Sequence, residues 1–103
     1  MERNVLITND LITRFRQRRE AQVAGYDKIV FHQRVGNMLY VTRGDRSDAA
    51  VPAIRIMRAV ELVRRNPQLY ANGPGVSHSS GAGHITDVVW SILHLMTLEQ
   101  ILA

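Results

Sequence analysis

Residues 28–35 and 38–43 constrain the fold more than any other part of the chain. Both runs are rich in β-branched and aromatic side chains, and only Gly36–Asn37 separates them. A glycine at the first position of a two-residue loop suits a type II′ turn, and both loop residues tolerate positive φ. The pattern predicts an antiparallel β-hairpin in which Val35 faces Met38.

This register divides the hairpin into two predicted faces. Counting back from the turn, Gln33 pairs with Tyr40. Phe31 then pairs with Thr42, and Ile29 falls on the same, core-facing side. Because the aromatic rings would point into the core, the register disfavours stacking of nucleic-acid bases on the sheet. The opposite face is predicted to be mixed and basic, and it carries Lys28, Val30, His32, Arg34, Leu39, Val41 and Arg43.

A helix is predicted on the N-terminal side of the hairpin. It begins near Asp10, because residues 8–10 offer side chains that cap helix starts, and it ends at Gly25, because glycine commonly follows a helix end. The short apolar run at residues 4–8 is a candidate third strand.

A second helix is predicted after the hairpin. It begins near Ser47 or Asp48, which keeps Pro52 in or near the first turn, where a missing amide costs least. It ends at Asn66–Pro67, since the residue before a proline disfavours the helical conformation. The face opposite its apolar residues carries Arg55, Arg58 and Arg65.

The C-terminal part of the chain is predicted to contain a long loop and a last helix. Residues 66–84 are rich in glycine, serine and proline, which indicates a connection without regular structure. The last helix runs from Ile85 or Thr86 to near residue 103. Its apolar arc is wider than a small sheet would cover, so we expect a second copy of the chain to pack against it.

Together these elements predict an α+β fold. An antiparallel β-hairpin, with a candidate third short strand, packs against two or three helices. A chain of 103 residues is expected to form a single domain.

The composition excludes several functional classes. The chain has no cysteine, so it holds no disulfide, thiolate zinc site, iron–sulfur cluster or cysteine nucleophile. We predict no metal and no cofactor. No apolar stretch reaches the length of a membrane span, and the first thirty residues lack the pattern of a signal peptide. The sequence therefore predicts a cytoplasmic protein without a membrane partner.

The charges are strongly segregated along the chain. Residues 1–65 hold all thirteen basic residues against seven acidic ones, a net of +6, whereas residues 66–103 hold only two acids, a net of −2. Such segregation indicates one surface that meets an anion and another that is covered.

This charge pattern predicts a small non-catalytic binding or regulatory protein. Its arginine-rich N-terminal two-thirds would engage DNA, RNA or the acidic surface of another protein, because the planar guanidinium fork suits phosphate and carboxylate groups. The candidate anion-binding residues are Arg14, Arg16, Arg18, Arg19, Lys28, Arg34, Arg43, Arg55, Arg58 and Arg65.

Two alternatives remain open from the sequence. A protein interaction module, such as an inhibitor or assembly factor, would use the apolar last helix through Trp90, Leu93, Met96 and Ile101, although core packing is the expected use of Trp90. The last helix is also the predicted homodimer contact. A small enzyme would instead place its site beside the glycine-rich loop, at His78, His84 and Asp87.

Overall fold

The structure, a computed structural model, describes residues 2–45, 47–74 and 85–103. Its elements follow the chain as helix α1 (Arg3–Arg18), strands β1 (Glu20–Ala21), β2 (Ile29–Val35), β3 (Met38–Arg43) and β4 (Ser47–Pro52), helix α2 (Ala53–Arg65), a 3₁₀ helix (Pro67–Tyr70), and helices α3 (Asp87–Leu93) and α4 (Leu98–Leu102). The predicted α+β class is confirmed.

The strands form an antiparallel meander in the order β1-β2-β3-β4. The predicted hairpin is confirmed: Val35 pairs with Met38 around a turn in which Gly36 has φ of 60°. The predicted pair of Phe31 with Thr42 is wrong, because a bulge between residues 31 and 33 shifts the register and pairs Phe31 with Val41.

The bulge changes which side chains of the hairpin face the core. Leu39 and Val41, predicted on the basic face, are buried beside Phe31. Tyr40, predicted to face the core, is 40% exposed on the other side of the sheet, where its strand partners Gln33 and Ala50 are also exposed. The extra residue, His32, moves Phe31 and Ile29 to the face of the sheet that Leu39 and Val41 share, so all four side chains are buried on one side.

Residues 4–8, the candidate third strand, lie within α1, so that prediction is wrong. Ile7, Leu11 and Phe15 recur at four-residue intervals and are buried, which is the spacing of a helix stripe. The Thr8 hydroxyl donates to the carbonyl four residues earlier at 2.7 Å, so it lies inside the helix and does not cap it.

α1 ends at Arg18 and not at Gly25. Arg19 adopts a left-handed φ of 68°, and its N–H donates to the Phe15 carbonyl at 2.9 Å. This single residue turns the chain from the helix into the sheet, since Glu20 already belongs to β1.

Residues 47–52, predicted as the first turns of α2, form the edge strand β4 instead. Ala49 and Val51 face the core in alternation, and the residue before Pro52 favours the extended conformation. The helix begins at Ala53, whose N–H donates to the Asn37 carbonyl at 2.8 Å. Its predicted end at Asn66 is confirmed.

The predicted last helix is two helices. A turn separates α3 from α4, and Thr97 caps α4 in a reciprocal capping box with Gln100. Part of the predicted loop is ordered as the 3₁₀ helix, where Leu69 is buried. Residues 75–84 of that loop lie outside the described residues.

α2 lies at the centre of the helical layer, in contact with α1, α3, α4, β4 and the 3₁₀ helix. Its buried side chains are Ile56, Ala59, Val60 and Val63. They belong to one core cluster that includes the inward side chains of β2, β3 and β4. The outer faces of α1 and α2 therefore remain at the surface.

Candidate anion-binding surface

Two of the predicted anion-binding arginines hold the fold together. The Arg14 Nε lies 3.0 Å from Asp10, and its Nη1 donates to the Leu95 carbonyl at 3.2 Å. Arg43 forms a two-point ion pair with Asp87, with Nη1 at 3.0 and 3.2 Å from the two carboxylate oxygens. These guanidinium groups attach α1 and β3 to the C-terminal segment. Because both already have partners within the chain, we do not place them in the candidate anion-binding surface.

A third arginine acts in the same way and was not among the predicted residues. The Arg64 Nη1 donates to the Ile101 carbonyl at 2.6 Å and so attaches α2 to α4. Its position in the sequence did not distinguish it from Arg65. The Arg65 side chain is 77% exposed, and its ion pair with Glu61 is long, at 4.0 Å.

The predicted basic face of the hairpin does not form. Lys28 lies 3.5 Å from Glu20, and the Arg34 Nε donates to the Gly36 carbonyl at 2.8 Å, beside the turn. Each of these groups has a local partner, and Leu39 and Val41, which belonged to the predicted basic face, are buried in the core.

α2 presents a stripe of arginines, which we call the α2 stripe and which consists of Arg55, Arg58 and Arg65. Intervals of three and seven residues return to the same side of a helix, and all three side chains are exposed. At a rise of about 1.5 Å per residue, the stripe spans about 15 Å. This part of the predicted set forms one continuous surface.

The end of α1 carries a second arginine surface with a surface pocket of about 350 Å³. We call it the α1 pocket, and it is lined by Thr13, Arg16, Gln17, Arg19 and Phe31. The Arg19 guanidinium carbon lies 5.8 Å from the centre of the Phe31 ring. Arg18 is exposed nearby but does not line the pocket.

Five of these arginines keep an unneutralised charge. All nine carboxylate side chains of the protein belong to described residues. None of them forms an ion pair with Arg16, Arg18, Arg19, Arg55 or Arg58 within that part of the chain. A charge without a partner attracts an anion from solution more strongly than a paired one.

The residues predicted for a partner interface are core residues of this chain. Trp90, Leu93, Met96 and Ile101 are each 5% exposed or less, because α3 packs against α1, α2 and β2 and α4 packs against α2. The apolar arc is thus covered from within the chain, and these side chains are not available to a partner.

Of the residues predicted for an enzyme site, only Asp87 belongs to the described residues. Asp87 is held by Arg43, while His78 and His84 lie outside the residues that the structure describes. His94 is stacked on Tyr70, with ring centres 3.9 Å apart, and its Nδ1 is 2.8 Å from the Trp90 carbonyl. In 2–45, 47–74 and 85–103, no three acidic or histidine side chains form a possible metal site.

Thr13 and Gln17, which line the α1 pocket, were not among the predicted residues. Their spacing with Arg16 places all three on one side of a helix, so the signal was present once the helix bounds were known. The position of Arg19 carried no such signal, because its left-handed backbone depends on the contact between α1 and the sheet.

Comparison with protein-family models, curated proteins and solved structures finds no match to this chain. None of the helices in the described residues combines the length and apolar character needed to cross a membrane.

Proposed function

We propose that this protein is a small non-catalytic binding protein that engages nucleic acid through the exposed arginines of α1 and α2. The observation that carries the proposal is the group of five arginines without a carboxylate partner, four on two helices that pack against each other and one, Arg19, directly after the end of α1. Phosphate contacts of this kind supply most of the affinity that does not depend on sequence.

The α2 stripe favours a polymer with regularly repeated negative charges. Its three guanidinium groups follow one another along about 15 Å of helix, so they can contact successive phosphates of one strand. An acidic protein surface also attracts arginine, but its carboxylates do not repeat at a fixed interval. The arrangement therefore supports nucleic acid over an acidic protein.

Binding to duplex DNA and to structured RNA across a salt series tests the proposal. We compare the protein with a double variant, Arg55→Gln with Arg58→Gln, and with a control, Lys28→Gln with Arg34→Gln, that removes the same charge elsewhere. Loss of two phosphate contacts lowers the slope of log affinity against log salt by about 2 for the stripe variant. The control changes the slope by much less.

Two results would contradict the proposal. One is the absence of binding to either nucleic acid at low salt, which would leave an acidic protein surface as the partner. The other is an equal loss of affinity in the stripe variant and the control, which would show that net charge alone drives binding. Thermal unfolding of each variant checks that the fold is intact.

A further inference from the structure

The backbone at Arg19 places an arginine over the sheet in a conformation that usually belongs to glycine. Its φ of 68° is the only positive value for a non-glycine residue in the described part of the chain. Its N–H is bonded to the Phe15 carbonyl, and its own carbonyl accepts from the Phe31 N–H at 2.8 Å. Hydrogen bonds from the N–H and to the carbonyl of Arg19 therefore fix its backbone, and with it the position of its Cα–Cβ bond.

The side chain of Arg19 lies over the ring of the buried residue Phe31. Its guanidinium carbon is 5.8 Å from the centre of the Phe31 ring, within the range of a cation–π contact. Phe31 is 7% exposed and packs edge to face against Phe15, with ring centres 5.4 Å apart. Less side-chain freedom is lost when a ligand binds to a cation that is already held in place.

The remaining polar groups of the α1 pocket are hydrogen-bond donors without partners. Thr13, Arg16 and Gln17 lie on one side of α1, and within the described residues neither they nor the Arg19 side chain form a hydrogen bond or an ion pair. No carboxylate lines the pocket. It therefore combines two positive charges with the donors of a hydroxyl and an amide.

This set of donors selects among anions. A phosphate monoester presents three terminal oxygens and a charge near −2, which two guanidinium groups and two neutral donors can satisfy together. A phosphodiester of the nucleic-acid backbone has fewer free oxygens than a monoester, and the strand continues on both sides of it. The volume of about 350 Å³ lies at the lower end of the range for ligand pockets, about 300–1,000 Å³.

We infer that the α1 pocket binds a phosphate monoester, the group found at the phosphorylated end of a nucleic-acid strand and also as free phosphate. The nucleic-acid form of this inference rests on the proposed function. The negative end of the α1 dipole disfavours an anion here. Binding therefore depends on the two guanidinium groups, and removal of either one should abolish it.

The first test compares oligonucleotides that differ only in a 5′-phosphate or a 5′-hydroxyl. We expect the phosphate to raise affinity about tenfold for the protein. The increase disappears in Arg16→Gln and in Arg19→Gly, which suits the left-handed backbone, and it persists in the control Arg18→Gln. No increase in the protein, or an equal loss in Arg18→Gln, would overturn the inference.

The second test uses inorganic phosphate and an NMR titration at constant ionic strength. Saturable shifts at Thr13, Arg16 and Arg19 that are lost in the two pocket variants support the pocket, even if no oligonucleotide binds and the proposed function fails. Shifts that chloride reproduces would overturn it. Conversely, the variant with Arg55→Gln and Arg58→Gln should bind both oligonucleotides more weakly and keep their ratio.

Discussion

The arginines of this protein form two groups that differ in what they contact. Arg14, Arg43 and Arg64 donate to the C-terminal segment, through the Leu95 carbonyl, the Asp87 carboxylate and the Ile101 carbonyl. Arg55 and Arg58 contact no acid and remain exposed. Arginines of the same chain thus either stabilise the fold or remain exposed at the surface.

This difference gives part of the charge segregation an internal explanation. The segment after residue 65 has no lysine or arginine, so the helix-end carbonyls and Asp87 find their cationic partners in the first part of the chain. Positive side chains near such carbonyls complement the helix dipole. The net positive charge counted over residues 1–65 is therefore larger than the charge that the folded protein presents to a partner.

The largest difference is expected between Arg43→Ala and Arg58→Ala. Loss of the two-point pair with Asp87 should lower the free energy of unfolding by about 1–2 kcal/mol, a value reduced by the partial exposure of both groups. Arg58→Ala should change it by less than about 0.5 kcal/mol. Urea denaturation measures both, and equal losses would show that the two groups of arginines do not differ.

A smaller effect is expected from Arg64→Ala, with its neighbour Arg65→Ala as the control. Removal of the donor to the Ile101 carbonyl should cost about 1 kcal/mol and increase fraying of α4. Amide hydrogen exchange of residues 98–102 should accelerate in the first variant only. Unchanged protection of α4 would mean that this contact contributes nothing to its stability.

Tyr70 is a further residue that donates a hydrogen bond to the C-terminal segment. Its hydroxyl donates to the Met96 carbonyl at 2.7 Å, and burial raises its pKa above the usual 10.0. A raised pKa means that the folded state favours the neutral phenol, so this stabilisation is complete below pH 10 and is lost as the pH rises through the folded-state pKa.

Tyr70→Phe should therefore cost about 1 kcal/mol near neutral pH and weaken the loss of stability above pH 10. Exposed Tyr40, whose hydroxyl forms no hydrogen bond among the described residues, provides the matched control Tyr40→Phe. Unfolding free energies from pH 7 to 11 test the pair. Identical alkaline profiles for the protein and Tyr70→Phe would contradict the prediction.

The smallest effect is expected at Ser91, the buried polar side chain of α3 that receives no partner. Its hydroxyl has no hydrogen bond in the described residues, and the residue is 2% exposed. Ser91→Ala removes an unsatisfied group and should raise the unfolding free energy by about 0.5 kcal/mol. A clear loss of stability would mean that the hydroxyl is satisfied in solution.

The predictable parts of the fold depended on local chemistry. The Gly36–Asn37 turn and the proline after Asn66 act through the backbone dihedral angles of their own residues, so both were correctly predicted. The spacing of Arg55 and Arg58 was also predictable, because helix periodicity is local. The bulge at His32 and the strand at 47–52 were missed, since both depend on pairing with β3.

By itself, the sequence determined the hairpin, the end of α2, the α+β class and the absence of cysteine chemistry. Only the tertiary structure decided which arginines are free, where the α1 pocket lies and that the apolar arc of the last helix is covered from within the chain. The physical reason is the range of the interactions. Turns and helix faces depend on residues a few positions apart, whereas an ion pair such as Arg43 with Asp87 joins residues that only folding brings together.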